Sequence, residues 1–519
     1  MQTFGRMLAL VFVCWCVHVG WSQEQLDFDF ANNGVFRTNP FLGQDNFFRD
    51  LIVLPNEEII AVGSVDAIDG SGQDDMLIVK LEENGTLDAT FGNGGIVRLD
   101  IQGSDVAFAV AHLNNGKIVV GGRSAFESFQ RVACVVMLNA DGSLDETFSE
   151  DGIYRSPLTL SGSSYVSDIL EDEEGNLLIG GQSAVDIHIF KLDLTGKLVE
   201  SYALDGRITI PNDFPLNCRG MALQQDGKLL VAGKVNRPND DIMVLRLNQD
   251  GTLDESFAAG SFFFYDIDQE PNGSHEIAES IMVDDENGRI LLGGQTRYFG
   301  ESYGHFYILA LDENGQFDPT FGEQGIQQFP ATGYSFGNDT EMLPSGRIVL
   351  VGGFESIGDG DSNLSIVQFT NQGAIDFTLG NSGLQLFDFP ENSFERSESV
   401  KLQNDEKLLV AGTFLRSGGN WTGFVLRLEV EEVTKTGTAL VNDAFDIFPN
   451  PASDEISLVF PGGQSTERRV EIYDLAGRLV LAKDLAAGQT IDVSQLPSGL
   501  YSAIVLQKGQ YLMRRFVKM

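Results

Sequence analysis

The chain has 519 residues, of which 75 are Asp or Glu and 34 are Lys or Arg, so its formal net charge is −41. This acidity argues against a nucleic-acid binder, because affinity for phosphate backbones comes mainly from clustered Lys and Arg. With 42% hydrophobic and 10% aromatic residues the chain is not a disordered acidic tail either, and its 58 glycines indicate many tight turns.

The first 22 residues have the pattern of a secretory signal peptide. An apolar run over residues 7–19 follows the single positive charge, Arg6, and ends at small residues. The run is too short and too weakly flanked for a membrane helix, and no later segment is apolar for long enough to span a bilayer. A lipoprotein anchor at Cys14 or Cys16 is the alternative, but neither cysteine follows the small residues that such an anchor needs.

An apolar run that ends in glycine recurs seven times after the signal peptide. Its glycines lie 52 to 61 residues apart, which indicates a repeat architecture. They are Gly63, Gly122, Gly181, Gly233, Gly294, Gly352 and Gly412. Hairpin signals such as Asn115-Gly116 precede most of the runs. A second signature, for example Gly251-Thr-Leu-Asp-Glu-Ser-Phe257, follows the first six.

Each repeat unit contains four short strand patterns and no convincing helix. In the second unit they cover residues 106–113, 117–122, 132–138 and 152–155. Four strands in about 58 residues, repeated radially, predict a β-propeller blade. The signature missing after Gly412 is found at residues 26–38, so the N-terminal segment is predicted to pair with residues 424–428 and close the ring. The prediction is a seven-bladed β-propeller over residues 23–430.

The repeat resembles a known family. Residues 227–233, Gly-Lys-Leu-Leu-Val-Ala-Gly, and the following Asp250-Gly-Thr-Leu-Asp-Glu-Ser-Phe257 are similar to the delta-60 repeat of secreted bacterial proteins. The resemblance covers about residues 26–430 and departs at Val199, where the signature Asp is lost. It implies a fold but no active site.

After a polar linker at residues 431–443 the strand pattern changes. Short strands at 456–460, 470–473, 479–485, 500–506 and 511–517 predict a small β-sandwich over residues 444–519. Three motifs in order resemble the C-terminal sorting domain of type IX secretion cargo. They include Phe448, Pro449, Asn450, Pro451, Gly477, Gly499 and Tyr501. The resemblance implies an export address read by the type IX machinery, and a secreted or outer-membrane surface-attached protein. The alternative is an ordinary sandwich domain that stays with the mature protein.

Local motifs for catalysis or metal binding are weak. Gly333-Tyr-Ser-Phe-Gly337 matches the hydrolase pattern Gly-x-Ser-x-Gly, but it lacks the strand, sharp turn and helix that present the nucleophile. Asp359-Gly-Asp-Ser-Asn363 reproduces only the start of a calcium loop. A looser acidic cluster, best explained as solvated loops, contains Asp66, Asp69, Asp74 and Asp75. The repeated signature Asp is predicted to accept hydrogen bonds within its own turn. Neither a cofactor nor a metal is predicted.

Two surfaces are candidates for ligand binding. Tyr298, Tyr303 and Trp421 are predicted to lie in loops on one face of the disc, where exposed aromatic side chains suit sugar or peptide recognition. Packing against neighbouring blades is the alternative for these residues. Aligned positions on the first strand of each unit are predicted to form a polar central channel. They are Arg49, Phe108, Ser167, Arg219, Glu279, Asn338 and Glu398.

These observations favour a secreted binding or structural module with a neutral polysaccharide, or else a basic protein surface, as partner. The alternative is an extracellular propeller enzyme, a glycoside hydrolase or lyase, with its site in the channel mouth. An enzyme is expected to show converging titratable groups with perturbed pKa values in the channel. A binder is expected to show an aromatic and polar patch.

Overall fold

The apolar runs and glycine turns fold as antiparallel hairpins in the computed structural model of the protein. It describes residues 26–38, 43–68, 72–126, 130–156, 164–183, 185–210, 212–237, 239–268, 273–298, 304–329, 333–355, 362–376, 379, 383–389, 392–404, 406–416, 419–429, 446–460, 468–473, 479–485, 490–507 and 510–519. Every element in these ranges is a β-strand. No helix that could cross a membrane occurs in them. The predicted signal peptide, residues 1–22, and the linker at 431–443 lie outside the described residues.

Five four-stranded sheets follow one another along the chain, each with its strands in sequential order. The first contains β2 (Asn46–Val53), β3 (Ile59–Asp66), β4 (Asp74–Leu81) and β5 (Ile96–Leu99). The second contains β6 (Val106–His112), β7 (Ile118–Phe126), β8 (Gln130–Leu138) and β9 (Ile153–Arg155). The third contains β10 (Tyr165–Glu171), β11 (Leu177–Gln182), β12 (Ile187–Leu192) and β13 (Arg207–Thr209).

The fourth sheet contains β14 (Leu216–Leu223), β15 (Leu229–Asn236), β16 (Asp240–Leu247) and β17 (Phe262–Tyr265). The fifth contains β18 (Ser274–Asp284), β19 (Arg289–Tyr298), β20 (His305–Asp312) and β21 (Ile326–Phe329). The strands predicted for the second repeat unit are present, but β7 extends to Phe126, past its predicted end at Gly122.

The remaining repeat strands form an eight-stranded sheet that consists of two four-stranded halves. One half contains β22 (Tyr334–Met342), β23 (Ile348–Glu355), β24 (Ser362–Phe369) and β25 (Leu384–Phe387). The other contains β26 (Asn392–Leu402), β27 (Leu408–Arg416), β28 (Trp421–Leu428) and the N-terminal β1 (Val35–Arg37). A single parallel bridge between Ser362 and Phe394 joins the halves. β1 pairs antiparallel with β28, with Val35 opposite Leu426.

The signature Phe and Gly of the repeat hold one sheet against the next. Phe257 is fully buried, and a Cβ atom on Gly315 of the following unit would lie 2.7 Å from its ring. Gly315 also has φ +80°, which is why the turn favours glycine. The neighbouring backbone N–H of Ala258 donates to the carbonyl of Asn314 at 2.8 Å. Phe30 with Gly85 and Phe321 with Gly373 repeat the same contact.

The signature Asp is structural, as its position in the turn predicts. Asp254 accepts hydrogen bonds from the backbone N–H of Ser256 at 3.0 Å and from its hydroxyl at 2.6 Å. Its other oxygen lies 2.7 Å from Nε of Arg246, whose guanidinium stacks over Phe257. All six signature aspartates form such ion pairs: Asp27, Asp88, Asp145, Asp254, Asp318 and Asp376.

The C-terminal segment contains two further sheets. One contains β29 (Asp446–Phe448), β30 (Glu455–Val459) and β33 (Thr490–Asp492). The other contains β31 (Arg468–Tyr473), β32 (Leu479–Leu485), β34 (Gly499–Gln507) and β35 (Gln510–Lys518). Side chains from both sheets, such as Ile456 and Val505, share one buried cluster. Of these strands, β29 and β33 were not predicted.

Candidate functional site

The first strand of every repeat sheet contains a β-bulge at the same aligned position. The register with the second strand shifts there by one residue, which re-aims the bulged side chain. The bulged residues are Arg49, Phe108, Ser167, Arg219, Glu279, Asn338 and Glu398. All seven line a single cavity of about 690 Å³. The repeat alignment therefore identified the residues that converge at the centre.

The seven bulged residues, called the bulge ring below, line one part of the cavity. From there the cavity extends toward the ends of the first strands. It reaches residues next to the turns that follow those strands, such as Pro55, His112 and Asn404. The lining also includes the apolar residues Met221 and Ile281. A concave site of this volume is within the range of small-ligand binding sites.

Charged residues of the bulge ring pair with each other across neighbouring sheets. Nη1 of Arg49 lies 3.3 Å from Oε1 of Glu398, and Nε of Arg219 lies 3.3 Å from Oε2 of Glu279. Burial raises the pKa of Glu279, and the nearby guanidinium of Arg219 only partly offsets it. The ring is thus a set of paired charges rather than a patch of one sign.

A second ring, one residue further along, contains three aspartates that connect neighbouring sheets. Asp50 and Asp168 each accept two backbone hydrogen bonds, one from the next residue and one from the following sheet. For Asp168 the donors are Ile169 and Met221, both at 2.7 Å. For Asp50 the distance to the N–H of Val110 is 3.0 Å. These bonds hold the carboxylates in fixed positions on the cavity wall.

The third aspartate, Asp339, belongs to a charged network. Its Oδ2 accepts from Nζ of Lys401 at 2.8 Å and from the backbone N–H of Val400 at 3.0 Å. The hydroxyl of Ser399 lies 2.9 Å from Asp50 Oδ1 and 3.2 Å from Asp339 Oδ2, so it links the two carboxylates.

Burial and neighbouring charges shift the pKa values of these groups. Burial raises the pKa of Asp168 to about 7, because two backbone hydrogen bonds only partly compensate for lost hydration. Burial likewise raises the pKa of Asp50. Burial opposes the charge of Lys401, but Asp339 and Asp50 outweigh that effect and raise its pKa.

The structure does not show the exposed aromatic surface that the sequence predicts. Tyr298 was predicted to be exposed, which is wrong: it ends β19 at 5% exposure, and its hydroxyl donates to Oε1 of Gln328 at 2.9 Å. Tyr303 lies outside the described residues. Trp421 is half-buried between the rings of Phe47 and Phe394.

Trp421 and Tyr298 also lie at the other end of the sheets from the cavity mouth. The backbone N–H of Trp421 donates to Asp45, just before β2 begins, and Tyr298 pairs with Ser274 where β18 begins. The cavity instead reaches Pro55, beyond the end of β2.

The structure gives the Gly-x-Ser-x-Gly match a structural role. Ser335, the centre of the Gly-x-Ser-x-Gly match, lies within β22 at 1% exposure and donates to the carbonyl of Gly304. Asp359 and Asp361 of the partial calcium loop, and Asp69 of the acidic cluster, lie outside the described residues.

Within the described ranges one cluster of three carboxylates has the spacing of metal ligands. Its members are Glu58, Glu82 and Asp88. Nζ of Lys80 lies 2.6 Å from Glu58 and 2.8 Å from Asp88. A side-chain ammonium therefore already pairs with two of the three carboxylates.

The sorting-motif residues surround the shared core of the C-terminal segment. Phe448 ends β29 and is exposed, and Pro449 and Pro451 follow it. Asn450 accepts from the backbone N–H of Val517 at 2.9 Å. Gly499 begins β34, and the buried Tyr501 donates its hydroxyl to the carbonyl of Pro497 at 2.9 Å. Gly477 lies outside the described residues.

Sequence reasoning missed the aspartate ring. Its signal was present, because Asp50, Asp168 and Asp339 each directly follow the aligned channel position. An Asp repeated at that offset indicates a shared role, but the bonds to the following sheet depend on the bulge, which has no residue signature of its own.

Comparison with protein families identifies both parts of the chain. The family described as "Domain of unknown function (DUF5122) beta-propeller" matches residues 54–91, 113–148, 224–257, 286–321, 343–378 and 403–430. The secretion system C-terminal sorting domain matches residues 446–519. The chain therefore carries a β-propeller repeat region and a type IX sorting domain, which indicates secretion and cell-surface attachment. No curated protein matches the chain.

Several solved structures are similar at low sequence identity. A protein of unknown function from Dyadobacter fermentans is 14% identical, with 76% of this chain and 100% of that one covered and a TM-score of 0.40. The β-propeller domain of the trilobed protease from Pyrococcus furiosus is 11% identical, with 75% and 94% covered and a TM-score of 0.40. A gluconolactonase from Xanthomonas campestris is 12% identical, with 62% and 92% covered and a TM-score of 0.30.

Proposed function

We propose that this chain, which carries β-propeller repeats and a secretion sorting domain, is an extracellular binding module whose ligand occupies the central cavity. One observation supports this most: seven bulged residues, one from the first strand of each repeat sheet, line the same cavity. The proposal moves the ligand site from Tyr298, Tyr303 and Trp421 to the cavity, because Tyr298 is buried and cannot offer its ring to a ligand.

The proposed architecture is a ring of seven blades followed by a small β-sandwich. Five separate sheets and the two halves of the eight-stranded sheet supply the blades. The pairing of β1 with β28 supports closure through the N-terminal strand. For residues 444–519, a buried cluster shared by two sheets supports the sandwich. The signal peptide is proposed to be residues 1–22 and the linker residues 431–443, which gives a propeller over 23–430.

Most charged groups of the cavity are already held in place, which favours binding over catalysis. The bulge-ring arginines pair with glutamates, and the aspartates accept backbone hydrogen bonds. Groups fixed in this way are positioned to orient a ligand. A neutral polysaccharide, entering by a chain end or a side branch, is the first ligand class that we propose.

The second candidate is an extracellular hydrolase or lyase, and one observation favours it. The pKa of Asp168 is raised to about 7, which suits a general acid or base near neutral pH. Asp50 is a second carboxyl group in the same cavity. Release of reducing ends from a polysaccharide by the parent chain, abolished by Asp168→Asn, would support this candidate over simple binding.

A glycan-array screen of the chain from residue 23 onward tests the proposed function. The matched variant is Ala111→Trp. Ala111 is a small, half-buried residue of the cavity wall that also packs against the hydrophobic cluster between the second and third sheets, so a larger side chain there is expected to narrow the cavity, and circular dichroism checks that the variant folds. We expect the parent to bind a defined set of glycans and the variant to bind none of them. Equal binding by parent and variant would exclude the cavity as the ligand site.

A further inference from the structure

The wall of the central cavity contains more acidic than basic side chains. It contains five carboxylates but only three Lys or Arg side chains. Both ring arginines are paired with glutamates, and Lys401 is paired with Asp339. Asp50 and Asp168, which lie on different sheets, are the acidic residues of the wall for which no ion pair is found among the described residues. Burial raises the pKa of both, so a bound cation would favour their charged forms.

Asp168 is the carboxylate best placed to accept a further donor. Each of its oxygens accepts one backbone hydrogen bond, from Ile169 and Met221 respectively. A carboxylate has about four lone-pair sites, so about half of its acceptor capacity remains. Among the described residues no Lys or Arg lies within ion-pair distance of it. Asp50, in contrast, also accepts the hydroxyl of Ser399.

We propose that the cavity binds an organic cation, a primary ammonium or a guanidinium group, and that the carboxylate of Asp168 is its anchor. This inference rests on the proposed function of the cavity as a ligand site. It adds a cationic ligand class to the neutral polysaccharide proposed above, and the two classes are tested separately. The ammonium supplies three N–H donors and a positive charge beside two acidic groups that have no ion pair of their own, which favours the ionised form of those groups. The methylene chain behind it packs against Ile281, a partly buried apolar residue that also lines the cavity. Because two backbone N–H groups fix Asp168, little ordering is needed on binding.

The same chemistry occurs in a free polyamine and in a lysine or arginine side chain of a peptide. The overall charge of −41 attracts both to the protein. Two probes separate these sources: butane-1,4-diamine represents the free amine, and Nα-acetyl-lysine amide represents the side chain. Butane-1,4-diol is the neutral control, since it has the same chain without the charge.

The test is calorimetric titration of the chain from residue 23 onward with these three probes. Asp168→Asn retains the side-chain shape and removes one charge. Asp285→Asn removes one charge from an exposed turn residue and is the matched control for general electrostatic attraction. We expect Asp168→Asn to weaken binding of the ammonium probes at least ~10-fold, which corresponds to about 1.4 kcal/mol, and Asp285→Asn to change it less than about 2-fold.

Three results would overturn the inference. They are no binding of either ammonium probe by the parent, equal binding of the diol, or equal effects of the two substitutions. If Asp168→Asn does not fold, Ala111→Trp takes its place, because it narrows the cavity without removing the carboxyl group. Loss of ammonium binding in that variant supports the inference, and unchanged binding contradicts it.

Failure of this inference is distinguishable from failure of the proposed function. Glycan binding that Ala111→Trp abolishes and Asp168→Asn leaves unchanged would retain the cavity as a ligand site and exclude a cationic ligand. A ligand that binds equally to the parent and to Ala111→Trp would exclude both.

Discussion

Removal of residues 23–40 is expected to open the ring and to destabilise the propeller severely. The segment contributes four buried apolar side chains, Leu26, Phe30, Val35 and Phe36. At ~1.5–3 kcal/mol for each side chain, burial accounts for about 6–12 kcal/mol, which is comparable to the whole stability of a typical protein, about 5–15 kcal/mol.

The deletion also leaves a buried charge without its partner. Nε of Arg427 lies 2.7 Å from the carboxylate of Asp27, and both side chains are buried. Loss of one member of such a pair is strongly destabilising, because the remaining charge stays desolvated.

Two phenylalanines of this segment form a matched pair of point variants. Phe30 is fully buried against the following unit, whereas Phe28, two residues earlier, is 55% exposed. Phe30→Ala is expected to lower the free energy of unfolding by about 3–5 kcal/mol. Phe28→Ala is expected to lower it by less than about 0.5 kcal/mol.

The assay is guanidinium unfolding followed by fluorescence of Trp421. It is the one tryptophan after residue 22, and it begins β28, the strand that pairs with β1. The reasoning is refuted if Phe30→Ala and Phe28→Ala have the same midpoint, or if the deletion leaves the midpoint unchanged.

Three further predictions concern the repeat signature and the tail. Burial raises the pKa of Asp88, but hydrogen bonds from Lys80 and Thr90 outweigh this effect and hold the pKa at about 2. The ionised Asp88 therefore stabilises the fold above pH ~4, and this stabilisation is lost as the pH falls through 2. Asp88→Asn should therefore cost about 2 kcal/mol at pH 7 and progressively less between pH 4 and 2, as thermal melts at each pH would show. Phe257→Ala should lower the free energy of unfolding in guanidinium by about 3–5 kcal/mol. Phe214 is 45% exposed, so Phe214→Ala should lower it by less than about 0.5 kcal/mol. Removal of residues 444–519 should leave a folded protein in the periplasm, and normal secretion of it, measured by immunoblot of the medium and cell fractions, would contradict the role of the tail as the export address.

The repeat period made much of the fold predictable. A motif that recurs at a constant spacing aligns equivalent positions without any knowledge of their three-dimensional arrangement. For this reason the seven channel residues, and the pairing of residues 35–37 with 424–426, follow from the sequence. The bulges do not follow, because a bulge is a shift in backbone register that many residue types accept.

The binding surface was less predictable, because exposure depends on neighbours. Tyr298 was predicted to lie in a loop after the second strand of its unit, but β19 continues to this residue and Gln328 of β21 binds its hydroxyl. Asp168 looks like an ordinary strand residue, and its bond to Met221 joins positions 53 residues apart. Contacts over such separations cannot be read from a local pattern.

The measurement that most directly tests the central cavity as the ligand site compares substitutions at the two ends of the sheets. Ala111→Trp is expected to narrow the cavity, and Trp421→Ala removes the aromatic side chain at the opposite end. The affinity of the strongest ligand from the glycan array, measured by calorimetry, should fall at least ~10-fold in Ala111→Trp and change less than about 2-fold in Trp421→Ala. Unchanged affinity in Ala111→Trp, together with loss of binding in Trp421→Ala, would contradict the account and place the ligand on the aromatic face.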